Sequence, residues 1–116
     1  EFTKEVLAQL LTQLVYDPVN VDDELVDERW ATLETQNAHV LATMQIPDLS
    51  DQLASIDINT LVFWGTEDRF CPASGTWKIL QMKGNVQAEL VNYCGHWVMS
   101  EYPDLFNERC LSFLSK

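Results

Sequence analysis

The sequence predicts an α/β chain in which helices come first and a strand, helix, strand, helix series follows. Three observations carry that reading. Residues 2–46 place apolar side chains at three- and four-residue steps. Residues 60–64 are a short, nearly continuous apolar run ending in Gly65. A second strand-like run, residues 88–93, lies beyond a helix-periodic stretch, and that order makes the two strands parallel.

Residues 2–16 form the first expected helix, with Phe2, Val6, Leu7, Leu10, Leu11, Leu14 and Val15 on one stripe. Asp17-Pro18 ends it, because proline has no amide donor and turns the residue before it away from helical backbone. Asp22 or Asp23 caps the next helix, and Asp23, Glu24 and Asp27 suit its positive N-terminal end. Leu25, Val26, Arg29, Trp30, Leu33, Val40, Leu41 and Met44 continue the pattern to Pro47, with a break near Asn37. Residues 50–53 make a short helical turn.

The texture changes at Asn59. The run at residues 60–64 suits a strand buried on both faces. Residues 66–72 form a charged loop punctuated by Pro72. Residues 73–83 are a helix with Trp77, Ile79, Leu80 and Met82 as apolar positions and Gly84 as its stop. After the strand at residues 88–93 comes the loop Cys94-Gly95-His96-Trp97. Pro103 suits a first helical position, and Leu105, Phe106, Cys110, Leu111, Phe113 and Leu114 define a closing amphipathic helix. Two strands leave unpaired edges and cannot cover the apolar run, so the expectation is the end of a larger α/β protein, or a chain that another completes. The opening residue, Glu1, fits that expectation.

Composition narrows the function. Of 116 residues, 47% are hydrophobic and 22% charged, which excludes a disordered tail. Lys and Arg total 7 against 18 Asp and Glu, a formal charge of −11, which argues against nucleic-acid or membrane-surface partners. No apolar run approaches the roughly 20 residues that span a bilayer. Three cysteines, Cys71, Cys94 and Cys110, are no disulfide framework and favour a reducing, cytoplasmic setting.

The residues with chemistry are Asp68, just past the first strand, and His96, just past the second. Loops at the C-terminal edge of a parallel sheet carry working residues, so both side chains are expected at one rim. An acid followed by a histidine is the acid–base pair of a nucleophilic hydrolase: the carboxylate fixes the imidazole tautomer and the imidazole moves the proton. A solvated loop Asp and a structural His are the bland alternative. Gly95 before His96 permits a tight turn, and Trp64-Gly65 sets a turn before the acid.

Trp64-Gly65-Thr66-Glu67-Asp68-Arg69-Phe70-Cys71-Pro72, then Cys94-Gly95-His96-Trp97 with Glu101 and Phe106-Asn107, resembles the C-terminal third of an α/β-hydrolase. Within that fold it is most similar to the meta-cleavage product hydrolases, which cut carbon–carbon bonds in ring-opened aromatic or steroid catabolites. The resemblance implies an α/β-hydrolase fragment of two parallel strands with helices, preceded by helical lid segments: residues 1–46 as a lid portion and residues 47–116 as a core portion. It implies Asp68 as the acid and His96 as the base of a Ser-His-Asp triad. Phe70, Cys71 and Trp97 would lie at or near the substrate pocket, and Arg29 would meet the charged end of a small dienoate-type acid. No metal or organic cofactor is implied.

The departure is the nucleophile. The family elbow G-x-S-x-G is absent; only Ser74 neighbours a glycine, and it opens a helix. The chain therefore supplies two of three triad members and is expected to be inactive alone, its sheet completed by an N-terminal core, a complementary chain or an oligomer. Other α/β-hydrolase chemistries (esterase, lactonase, epoxide hydrolase, dehalogenase), a split enzyme, and a non-catalytic interaction module stay open. His39 reads as a surface or lid-packing residue. Arg29 has an alternative in pairing with the acids of its own helix. Cys94 with His96 lacks a second ligand pair of zinc spacing, and the acidic run from Asp22 to Glu28 lacks a calcium loop's spacing.

Overall fold

The computed structural model describes residues 2–116. In chain order the elements are α1 (Lys4–Leu14), a 3₁₀ turn (Pro18–Asn20), α2 (Asp23–Glu34), α3 (Ala38–Thr43), α4 (Ser50–Ser55), β1 (Thr60–Gly65), α5 (Gly75–Met82), β2 (Val86–Val91), α6 (Val98–Glu101) and α7 (Pro103–Leu114). The α/β architecture is as the sequence predicts. β1 and β2 pair in parallel, from Thr60 opposite Val86 to Gly65 opposite Val91, with α5 as the crossover. Among the described residues no helix is long and apolar enough to cross a membrane.

Local chemistry explains most boundaries. Thr3 caps α1 by accepting from the Val6 N–H, and Asp22 caps α2 by accepting from the Leu25 N–H. Asn37 breaks the long second helical stretch, its side chain accepting from the N–H groups of His39 and Val40 as the cap of α3. Pro103 opens α7, where a missing N–H costs nothing. Several boundaries differ from expectation by a residue or two, and two elements show why. α1 stops at Leu14, two residues before the expected end ahead of Asp17-Pro18: the Leu14 carbonyl accepts the His96 N–H and the Tyr16 N–H donates to the Glu101 carboxylate instead of extending the helix. β2 starts at Val86 and ends at Val91, because its register follows β1 and Tyr93 adopts a left-handed φ of 52°.

Two apolar clusters meet beside the sheet. Leu7 and Leu11 of α1 pack on Val26 of α2, with Trp30 and Trp97 against them. Val91, Cys94 and Val98 form the other, covered by Phe63, Tyr102, Leu105 and Phe106. Trp97 and Val98 thus join the helical half to the sheet half through adjacent residues. Leu61, Val62, Phe63 and Trp64 are only partly buried in spite of their apolar run, and Trp77 and Leu90 are exposed. Such surface is what a sheet would show where further strands belong.

Candidate active site

Both site loops leave the C-terminal ends of the paired strands, and backbone bonds hold them together. The Thr66 N–H donates to the Val91 carbonyl and the Glu67 N–H to the Cys94 carbonyl, each at 2.9 Å. Gly65 lies where a Cβ would fall 2.0 Å from the Gly95 oxygen and 2.3 Å from the Cys94 oxygen, so only glycine allows the loops this close. The Trp64 indole N–H reaches across to the Cys71 carbonyl at 2.7 Å, and Gly75 leaves room for that ring. Strand β1 thereby shapes the acid loop beyond it.

Within this frame Asp68 and His96, 28 residues apart in sequence, lie 2.8 Å apart, Asp68 Oδ2 to His96 Nδ1. The other carboxylate oxygen, Oδ1, accepts the N–H groups of Phe70 and Cys71, each at 2.9 Å. Burial alone would push the Asp68 carboxyl up. The Cys71 N–H, the His96 ring and the Phe70 N–H outweigh burial and hold it below the ordinary carboxylate range. Asp68 is therefore charged near neutral pH and can only accept, so Nδ1 carries the proton and donates. Nε2 is left as the free acceptor on the ring. The Asp68 side chain is 5% exposed and that of His96 37%, so the imidazole has an open side.

A cavity of about 190 Å³ is lined by Phe63, Trp64, Gly65, Asp68, Cys71 and His96. Phe70 tilts beside the imidazole, ring centroids 5.9 Å apart. Arg29 of α2 lies over the Trp97 ring at 5.2 Å, a cation–π contact next to His96 in the chain. The six residues singled out in the sequence thus fall into two neighbouring groups. Asp68, Phe70, Cys71 and His96 lie together at the sheet rim, while Arg29 and Trp97 form a second pair, with Trp97 packed against α1 and α2 and neither residue lining the cavity.

Glu101 is the residue whose part the sequence did not show. Its carboxylate accepts the Gly95 N–H through both oxygens, at 3.0 and 3.1 Å, and the Tyr16 N–H at 2.8 Å. The His96 N–H donates to the Leu14 carbonyl at 2.7 Å. A side chain on Gly95 would strike Leu14, Val15 and Tyr16 at 2.7–2.9 Å. The His96 loop is therefore clamped against the end of α1. The only signal in the sequence was an acid five residues after the histidine, and its partner at Tyr16 is distant in the chain. Cys94, two residues before His96, is fully buried. Burial pushes its thiol up to about 12, with the Glu101 charge adding to the effect, so it is no nucleophile.

No family model matches the chain. Individual proteins do. It is 34% identical over 119 residues to the 2-hydroxy-6-oxo-6-phenylhexa-2,4-dienoate hydrolase of Burkholderia cepacia, covering 96% of this chain and 42% of that protein. It is also 34% identical over 123 residues to 2-hydroxy-6-oxononadienedioate/2-hydroxy-6-oxononatrienedioate hydrolase 1 of Pseudomonas putida, covering 99% and 43%. Among solved structures, a meta-cleavage product hydrolase from Pseudomonas fluorescens IP01 superposes with a TM-score of 0.82 at 23% identity, covering 99% of this chain and 46% of that one. The chain thus spans about two fifths of the length of the curated relatives it matches. The fold is that of the C-terminal part of an α/β-hydrolase. Within that class the chain is similar, over nearly its whole length, to a part of the meta-cleavage product hydrolases.

Proposed function

We propose that this chain supplies the acid and the base of a Ser-His-Asp hydrolase that cleaves a carbon–carbon bond in 2-hydroxy-6-oxo-dienoate acids during aromatic breakdown. The observation that carries this reading is the 2.8 Å contact between a charged, backbone-anchored Asp68 and the Nδ1 of His96 at the sheet rim. Its support in kind is the substrate class printed in the names of the two bacterial relatives.

Asp68 holds the ring with Nε2 outward and stabilises the imidazolium that forms when Nε2 takes a proton. His96 passes that proton during ketonisation of the dienol and activates the nucleophile or water for attack on the C6 carbonyl. Arg29, held on Trp97, meets the carboxylate or enolate end of the substrate. Phe70, Cys71 and Trp97 shape the apolar wall. Residues 1–46 act as a lid portion and residues 47–116 as the core portion. The chain has no G-x-S-x-G elbow, so the serine comes from outside it and the chain alone is silent. The enzyme works in the cytoplasm and needs neither metal nor organic cofactor.

The test is a composite enzyme: the Burkholderia cepacia hydrolase with its matching segment replaced by this chain. The composite should consume 2-hydroxy-6-oxo-6-phenylhexa-2,4-dienoate, and His96→Ala should abolish that. A folded composite without activity, or hydrolysis by the isolated chain, would contradict the reading.

A further inference from the structure

We propose that Asp68, Cys71 and His96 form a binding site for a zinc-class divalent cation. Candidate ligand atoms of the three side chains, a carboxylate oxygen, the Cys71 Sγ and a ring nitrogen, lie within 4.8 Å of one another. Zinc bonds of about 2.0–2.3 Å in a tetrahedron place ligand atoms about 3.3–3.7 Å apart. The carboxylate and ring, now 2.8 Å apart at Oδ2 and Nδ1, open by roughly half an ångström, and the sulfur closes by about 1.3 Å at most. Cys71 and His96 are both exposed and free to make these moves. Asp68 stays fixed, because the Phe70 and Cys71 N–H groups hold Oδ1, and the same bonds keep the Cys71 backbone beside it.

The donor set is a thiolate, an imidazole and a carboxylate, with a fourth position open to water. The sulfur selects zinc over magnesium or calcium, which prefer oxygen. The net charge of −11 draws cations to the chain in general, so selectivity must come from Cys71. On binding through Nδ1 the ring proton shifts to Nε2, and the thiol proton leaves to solvent. His96 then presents a protonated Nε2 and can no longer accept a proton there. On the functional reading above, this cation is an inhibitor that inserts between Asp68 and the base, not a participant in the reaction. The sequence directs attention to Cys94, which is too deeply buried to take part; Cys71 reaches His96 only through the fold.

The experiment titrates the full chain with Zn²⁺ against a chromophoric chelator, and with Co²⁺ while recording thiolate-to-metal absorption. One site per chain is expected, with the absorption band present, and Mg²⁺ in large excess should not displace the ion. Cys71→Ser and His96→Ala should each weaken Zn²⁺ binding by about tenfold or more and remove or shift the band, whereas Cys110→Ser should change neither. Circular dichroism of Cys71→Ser should match that of the parent, since the side chain is exposed. Binding that is absent, that Mg²⁺ displaces, or that is equal in Cys71→Ser would overturn the proposal. These readouts need no catalysis, so their failure is distinct from failure of the functional reading. In the active composite, Zn²⁺ should inhibit the parent at concentrations that leave Cys71→Ser at its own metal-free rate, whatever that rate is.

Discussion

Replacing Glu101 tests whether the His96 loop is held from outside itself. In Glu101→Ala the Gly95 N–H, buried with its residue, loses both carboxylate oxygens, and the Tyr16 N–H loses its 2.8 Å partner. An orphaned buried donor costs about 1–3 kcal/mol, and the Tyr16 donor, which water can reach, about 0.5–1.5 kcal/mol. The sum, about 1.5–4.5 kcal/mol with a middle near 3, falls on one loop and should appear as local opening. Glu101→Gln keeps a carbonyl oxygen that can accept both donors from the Oε2 place, but loses the charge, about 1 kcal/mol, and turns an NH2 donor toward the Gly95 N–H from the Oε1 place. Hydrogen exchange on the composite enzyme reads this directly. The Gly95 amide should exchange about thirtyfold to several hundredfold faster in the alanine variant, and less than tenfold faster in the glutamine variant. Because the His96 N–H depends on the same clamp through Leu14, it should follow Gly95. Exchange at Gly95 within threefold of the parent in Glu101→Ala would refute the clamp.

Further expectations follow from the same geometry. Gly65→Ala puts a Cβ 2.0 Å from a backbone oxygen that cannot step aside, so urea unfolding of the composite should show a loss of about 3 kcal/mol or more. Asp68→Asn removes a charged acceptor and should lower kcat in the composite by about 10⁴-fold, measured with the dienoate substrate. The same variant has a signature in acid. Because Asp68 titrates lower folded than unfolded, its stabilisation is full above the unfolded value of about 3.9 and fades as pH falls through the folded one. The asparagine variant should therefore lose less stability than the parent between pH 4 and lower values, as acid titration of circular dichroism would show. Thiol labelling near pH 8 should modify exposed Cys71 while Cys94, raised to about 12 and buried, reacts only after unfolding.

Much of the fold was legible because local rules govern it. The apolar run before Gly65, the Pro103 start and the Asn37 break each depend on neighbours in sequence, and the strand–helix–strand order fixed the parallel pairing. The meeting of Asp68 and His96 at one rim could be expected because both follow strand ends. What stayed hidden depends on contacts between distant residues. α1 ends at Leu14, whose carbonyl would have no N–H to accept from Pro18 in a continued helix and instead accepts the distant His96 N–H. Glu101 gains its role from Tyr16, 85 residues away. Gly65 and Gly95 read as turn residues, but their hydrogen side chains are needed because backbone crowds the space where a Cβ would lie. Likewise, the cysteine nearest His96 in sequence is Cys94, yet Cys71 shares its cavity.

The central claim, that a charged Asp68 holds the His96 imidazole by Nδ1–H, is most directly tested by nitrogen-15 NMR of the histidine ring in the labelled composite. The account predicts a proton on Nδ1, downfield and slowly exchanging, that disappears in Asp68→Ala. A ring protonated at Nε2, with a fast-exchanging proton indifferent to that substitution, would contradict it.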